Sequence, residues 1–240
     1  VSMTPATPAT GTRILVAPDV DRSRVVALLL DTALDLAGDI RASSVHLLFL
    51  SPRERDDVAS HGRFAPRLSE QFHFRNEGYT SFDDLLTRFR SASRKQVRRE
   101  RRIVAESGLE IRTVSGDALE TNEFEALRRF YVDTCGRKGS PPYLRSGFFD
   151  LMKTTLAKRV VAVLAYEGGV PVAGTLNFEK GAHLYGRYWG ADSHAEMLHF
   201  ELCYYRLIER TIERGLTRFE AGAQGEHKLK RGLLPAAIHS

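Results

Sequence analysis

One short stretch, Thr217 to Gly232, gathers more reactive side chains than any other part of the chain. Glu220, Gln224, Glu226, His227, Lys228, Lys230 and Arg231 are interleaved with Gly222, Gly225 and Gly232. A carboxylate can take a proton, an imidazole can pass one on, and amides and cations can hold an oxyanion or a phosphate. The glycines let the chain turn sharply after the short apolar run Thr217 to Ala221 and bring backbone amides to one point. A solvated turn also uses glycine and polar residues, but it rarely packs carboxylate, amide, imidazole and cations so densely. Loops held by a rigid scaffold are where sites concentrate.

A second set lies upstream, on a run with strand alternation. His183, Tyr185, Arg187 and Trp189 fall on one face, and Leu184, Gly186 and Tyr188 on the other. The first face could line a polar cleft, or be an amphipathic surface turned to water. On the helix that should follow, His199 and Cys203 are four apart and therefore neighbours. They could pair as base and nucleophile, although an isolated helical cysteine is usually core filler. His199-Phe-Glu201 lacks the spacing of a zinc-protease helix, and no other set has ligand spacing, so no metal is expected. Gly222 and Gly225 stand too close together for a nucleotide phosphate loop, no Ser or Thr follows Lys228, and there is no Gly-x-Ser-x-Gly elbow.

The third set is cationic. The chain carries a formal charge of +5, and the segment from Arg94 to Arg102 alone supplies it. Helical spacing clusters Arg94, Arg98, Arg101 and Arg102 while Val97 and Val104 turn to the core. The patch is either a solvated face or a phosphate-recognition surface, since arginine forks match phosphate oxygens.

These residues need elements to position them. Helices are predicted over Asp21–Gly38, Arg53–Gly62, from Ser81 through Phe89, over Ser93–Gly108, 120–135, Phe148–Leu156 and Ala195–Arg214. Strands are predicted over Val45–Leu50, Gln71–Phe74, Leu109–Val114, Val160–Tyr166, Val170–Phe178, His183–Trp189 and Thr217–Ala221. Gly168-Gly169 and Lys180-Gly181 mark antiparallel hairpins. This order predicts an α+β fold with helices against a mostly antiparallel sheet. Thr/Pro/Ala-rich residues 1–12 read as a disordered start. At 240 residues, 42% hydrophobic and 27% charged, the composition is that of a globular protein, not a fibrous or disordered one. The apolar run Val25 to Leu30 is far too short to span a membrane. No leader pattern is visible and two cysteines suggest no disulfide framework, so a cytoplasmic location is expected.

Several blocks together resemble the FemAB-like predicted N-acyltransferases, peptidoglycan biosynthesis or recognition proteins within the wider GNAT fold. They are Phe74-Arg-Asn-Glu-Gly-Tyr79, Phe82-Asp-Asp-Leu85, the basic run from Ser93 to Arg102, Leu184-Tyr-Gly-Arg-Tyr-Trp-Gly190, Leu198-His-Phe-Glu-Leu-Cys-Tyr-Tyr205, and Glu220-Ala-Gly-Ala-Gln-Gly-Glu-His-Lys228 with Arg231-Gly232. The resemblance covers roughly residues 40–240. It implies two GNAT-like halves, residues 13–70 being the remainder of the first and 71–240 the second, in a chain that looks like a fragment. The acyl-CoA loop pattern of GNAT enzymes, Gln/Arg-x-x-Gly-x-Gly/Ala, is missing from Gly190-Ala-Asp-Ser-His-Ala-Glu-Met197.

The resemblance therefore implies an N-acyltransferase, with acyl-CoA or aminoacyl-tRNA as a donor substrate and no tightly bound cofactor. The acceptor would be an amine, such as a peptidoglycan precursor. Such chemistry assigns Glu220 or Glu226 as base and Tyr185 or Tyr188 as acid. Arg187, Lys228 and Arg231 would neutralise donor phosphate or an acceptor carboxylate. Trp189, His199, Gln224 and His227 would line the substrate site, with Arg98 and Arg102 holding the donor. The rival is a non-catalytic tRNA- or polyanion-binding module built on helix 93–108.

Overall fold

A computed structural model describes residues 8–192, 195–223 and 225–240. The chain forms two compact units, one comprising residues up to Gln71 with Pro235–Ser240, the other Phe72–Leu234.

In the first unit, most of the start expected to be disordered, residues 1–7, lies outside the described residues. The rest of it is held: the Gly11 amide donates to the Phe49 carbonyl at 3.2 Å. Helix α1 (Arg22–Asp39) starts at Asp21, whose carboxylate accepts from the Ser23 and Arg24 amides. Helix α2 (Pro52–His61) starts with a capping box between Ser51 and Glu54 and has Pro52 at its first position. Ile14, Val26, Leu30, Leu50 and Val58 form a small core. The strand predicted over Val45–Leu50 is absent: only Leu50 makes a β-bridge, to His239. A continuous apolar run reads as a buried strand, but this core takes in Leu47 and Leu50 and leaves His46 and Leu48 exposed.

The second unit is a mixed sheet between helices, an α+β architecture consistent with the GNAT-like expectation. Its strands are β2 (Glu110–Ser115), β3 (Val160–Glu167), β4 (Val170–Lys180), β5 (His183–Ala191), β6 (Arg218–Glu220) and the Phe72–Arg75 half of β1 (Leu68–Arg75). They lie in the order β2-β3-β4-β5-β6-β1. Every neighbouring pair is antiparallel except β5 and β6. The helix between those two is the crossover that a parallel pair requires.

Helices α3 (Phe82–Thr87) and α4 (Ser91–Ala105) pack on one face of the sheet, with Phe74, Leu184, Phe219 and Leu202 in their core. Helices α5 (Thr121–Arg137) and α6 (Ser146–Thr155) cover the other face, over Ala162, Leu164, Tyr166 and Leu176. Gly190 permits a close approach, because a Cβ there would collide with the Phe130 carbonyl of α5. The crossover predicted over Ala195–Arg214 consists of α7 (Leu198–Phe200), a π-helical turn (Glu201–Tyr205) and α8 (Arg206–Glu213). Such wide turns inside helices recur at functional sites.

Candidate active site

The sheet face that carries the reactive groups is set by one irregularity. Asn177 pairs with Gly186, but Leu176 pairs with Tyr188, so Arg187 is an extra residue bulged out of the register. A bulge reverses the alternation that follows it. Simple alternation puts Tyr185 with Trp189 and opposes both to Tyr188. The bulge instead brings Tyr185, opposite Phe178, and Tyr188, opposite Leu176, to the α5–α6 face. Trp189 is turned to the opposite face, with Leu184.

Strand β6 ends at Glu220, in register with Tyr185 of β5 and His73 of β1. Opposed residues share a face, so a polar corner forms. Arg218 Nη2 is 2.8 Å from Glu220 Oε1, and His73 Nε2 is 3.9 Å from Oε2. Both the Tyr185 hydroxyl and Arg218 Nη2 lie 3.2 Å from His183 Nδ1. Glu220 is only 3% exposed, and neither of its oxygens accepts a well-aligned hydrogen bond among the described residues. Burial pushes its carboxyl above the usual range, with Arg218 pulling partly back. Burial, aided by Arg218, Arg75, His183 and Lys228, holds the His73 imidazole down at about 4. Burial also raises the Tyr185 hydroxyl. Sequence reasoning misses His73 and Arg218. The one signal available is His73 alternating with Phe72 and Phe74, which places it opposite the core face.

Beyond this corner the two parallel strands part. Their pairing covers only His183, Tyr185 and the residue between them, while β5 runs on to Ala191. From Gly186 on, that edge of β5 has no strand beside it among the described residues, so alternate backbone amides face the gap.

The glycine-rich segment, expected to present charges to a ligand, commits its buried ones to the protein itself. Gly222, Gly225 and Gly232 have φ of 75°, 100° and 84°, the left-handed region that the turns need. Lys228 sits in a 3₁₀ turn (Glu226–Arg231), and its Nζ donates to the carbonyls of Ala221, Gly222 and Ala223 at 2.8, 3.1 and 3.0 Å. Three donors meet three acceptors, which leaves none for a phosphate. Burial lowers this ammonium to about 8. Arg231 stacks 3.5 Å over the Phe200 ring and donates to Glu100 at 2.6 and 3.0 Å and to the His227 carbonyl at 2.7 Å. Both are therefore shape-giving groups: the Lys228 donors are spent in place, and Arg231 is buried in its pair with Glu100. Glu226 and His227 are exposed. Gln224 lies outside the described residues.

Trp189, His199, Phe200, Tyr204 and His227 form an aromatic cluster with ring contacts of 5.2 to 6.0 Å. The Tyr204 hydroxyl is 3.2 Å from His227 Nε2. Burial, with His227, Lys228 and Arg231 adding to it, lowers His199 to about 4. Desolvation pushes the Cys203 thiol up, away from nucleophilic use.

On α4, Arg101 departs from the expected cationic patch. It turns inward, donating to both Glu201 and Glu209. The exposed cations are Lys95, Arg98, Arg99 and Arg102, a stripe at helical spacing. In the first unit, Leu47, Leu50, Val58, Phe64, Arg55 and Arg63 help line a cavity of about 460 Å³, which none of the residues expected from sequence joins. No group of three or more His, Cys, Asp or Glu among the described residues could hold a metal ion. No helix among them is long and apolar enough to cross a membrane.

A family model described as peptidoglycan biosynthesis/recognition, FemAB-like, matches residues 1–240. The chain belongs to the FemAB-like family. The match is wider than the span from about residue 40 that the sequence blocks cover, and it takes in both units. This FemAB-like chain is similar in fold to the C-terminal domain of a putative lysylphosphatidylglycerol synthetase from Agrobacterium fabrum. That match has a TM-score of 0.59 and 12% identity, over 89% of this chain and 72% of the other. The L-PGS from Bacillus licheniformis gives 0.58 and 13%, over 89% and 71%. FemX gives 0.55 and 12%, over 99% and 82%. No curated protein matches the sequence. At these identities the likeness is one of fold alone.

Proposed function

We propose that this FemAB-like protein transfers an acyl or aminoacyl group from an activated donor to an amine. The observation that carries the reading is the parting of β5 from β6 immediately beyond the Tyr185–Glu220 register. It leaves an unpaired strand edge next to a buried carboxylate and a tyrosine. Glu220 takes a proton from the acceptor ammonium. The free amine then attacks the donor carbonyl, and amides on the open edge of β5 stabilise the oxyanion. The new C–N bond forms as the C–O or C–S bond breaks; Tyr185 gives its proton to the leaving oxygen or sulfur and regains one from the nitrogen, and Glu220 releases its proton to solvent. Burial that raises a carboxyl toward neutrality makes it a better base near physiological pH. Glu226 is exposed on its turn and Glu220 is buried at the strand end, so Glu220 is the base in this reading.

Aminoacyl-tRNA is the favoured donor. The stripe on α4 suits a phosphate backbone, and the segment after β5 lacks the acyl-CoA loop pattern. The lysylphosphatidylglycerol synthetase likeness and the family description support aminoacyl transfer and a peptidoglycan-related acceptor by analogy of fold. A tRNA pool charged with labelled amino acids, and labelled acyl-CoA in parallel, tests this against an amine panel that includes peptidoglycan stem peptides. Glu220→Gln should lower transfer by about 10²-fold, with Glu226→Gln close to wild type. Binding of tRNA without transfer to any acceptor would instead support a polyanion-binding module.

A further inference from the structure

Arg187 is left over. It is the bulged residue of β5, half-buried, and has no carboxylate partner among the described residues. Its guanidinium makes one long hydrogen bond, from Nη2 to the Tyr188 hydroxyl at 3.4 Å, and lies 5.2 Å from that ring. Tyr188 is fixed by an edge-on contact with Tyr131, 4.7 Å between centroids, and by a hydrogen bond to the Tyr143 hydroxyl. Tyr143 comes from the loop between α5 and α6, which Tyr131 ties down by accepting from the Leu144 amide at 3.0 Å. A guanidinium fork and two hydroxyls therefore converge on the face that carries Tyr185 and Glu220, just past the point where the strands part.

Fixed donors with one unspent positive charge suit one negative charge. Nearby Arg218 is already paired with Glu220, and Lys228 and Arg231 are consumed elsewhere. A dianionic phosphate would find one cation, whereas a carboxylate matches both the charge and the planar fork. Two residues along a strand span roughly 6–7 Å, so the anion site and the Tyr185–Glu220 corner lie several bonds apart.

We propose that Arg187, Tyr188 and Tyr143 form an acceptor subsite for a carboxylate, selecting amines that carry a carboxylate several bonds from the reacting nitrogen. The role of acceptor rests on the acyl-transfer reading; the anion site itself does not. Two measurements separate them.

The first needs no donor. Arginine Nε–Hε resonances of ¹⁵N-labelled protein are titrated with 6-aminohexanoate, hexylamine and inorganic phosphate. The resonance missing in Arg187→Lys should move saturably with 6-aminohexanoate and not with hexylamine. No movement, equal movement with both amines, or tighter saturation by phosphate would overturn the carboxylate site. The second measures transfer to the same two amines. Wild type should prefer 6-aminohexanoate by about 10-fold or more, the size of one charge-assisted hydrogen bond. Arg187→Gln should erase that preference, Arg187→Lys restore part of it, and Tyr143→Phe reduce it less. Transfer with an unchanged preference in Arg187→Gln refutes the subsite. Saturable carboxylate binding with no transfer from any donor refutes the acyl-transfer reading and leaves the subsite standing.

Discussion

Glu100 and Glu220 are both buried carboxylates facing an arginine, yet the chain uses them in opposite ways. Around Glu100 every valence is spent: Arg231 donates twice, Gln96 once at 2.8 Å, and the Tyr205 hydroxyl once. The group locks the glycine-rich segment to α4 and has nothing left to offer. Glu220 has Arg218 at 2.8 Å but no well-aligned hydrogen bond to either oxygen among the described residues. A buried charge with its bonds complete is architecture, because removing a partner strands the other. A buried charge with bonds incomplete costs stability and keeps a basic oxygen available.

The largest test of that contrast is stability. Glu100→Ala should cost about 3–5 kcal/mol, the penalty for leaving a buried partner charge uncompensated. Glu220→Gln should leave stability within about 1 kcal/mol of wild type or raise it, since a poorly solvated carboxylate is replaced by a neutral amide. Urea denaturation of both variants reads this directly. Equal losses would erase the distinction between them.

A smaller effect should appear with pH. His73 and His199 are held at about 4 in the folded protein, against an ordinary 6.5. Between those values the unfolded chain binds more protons than the native state, so stability rises with pH across the window. The contribution should be complete above pH 6.5 and decline steadily as the pH drops from there toward 4. His199→Phe should flatten the curve; an unchanged slope would show that the aromatic cluster does not exclude the imidazolium.

The smallest effect concerns the exposed stripe, where charges are screened. Replacing Lys95, Arg98, Arg99 and Arg102 with Gln should weaken tRNA binding and reduce the log–log salt slope by about 2–3, at ~0.7 per phosphate released. Retaining Arg101 matters in that variant, because its bonds to Glu201 and Glu209 make it a structural residue. An unchanged slope would make the stripe a solvated surface and return acyl-CoA to the front as donor.

The sequence alone sets the order of helices and strands in the second unit, its hairpins, and the resemblance to the FemAB-like family. The first two are local: they follow from periodicity, caps and turn glycines, which tertiary contacts only reinforce. It also marked Glu220, Tyr185, Tyr188 and Arg187 as worth attention, though not how they combine. How they combine follows from contacts between distant residues. The bulge at Arg187 is an extra residue relative to a partner strand, so no property of β5 alone reveals it, and it reversed the faces of Tyr188 and Trp189. Whether a cation is free depends on distant partners: Arg231 meets Glu100, Arg101 meets Glu201, and Lys228 meets carbonyls across its own loop. Val45–Leu50 failed as a strand for the same reason, since pairing needs a neighbour that an apolar run cannot supply for itself. Composition names the groups; the exhaustion or survival of their valences is a property of contacts between residues far apart in the chain.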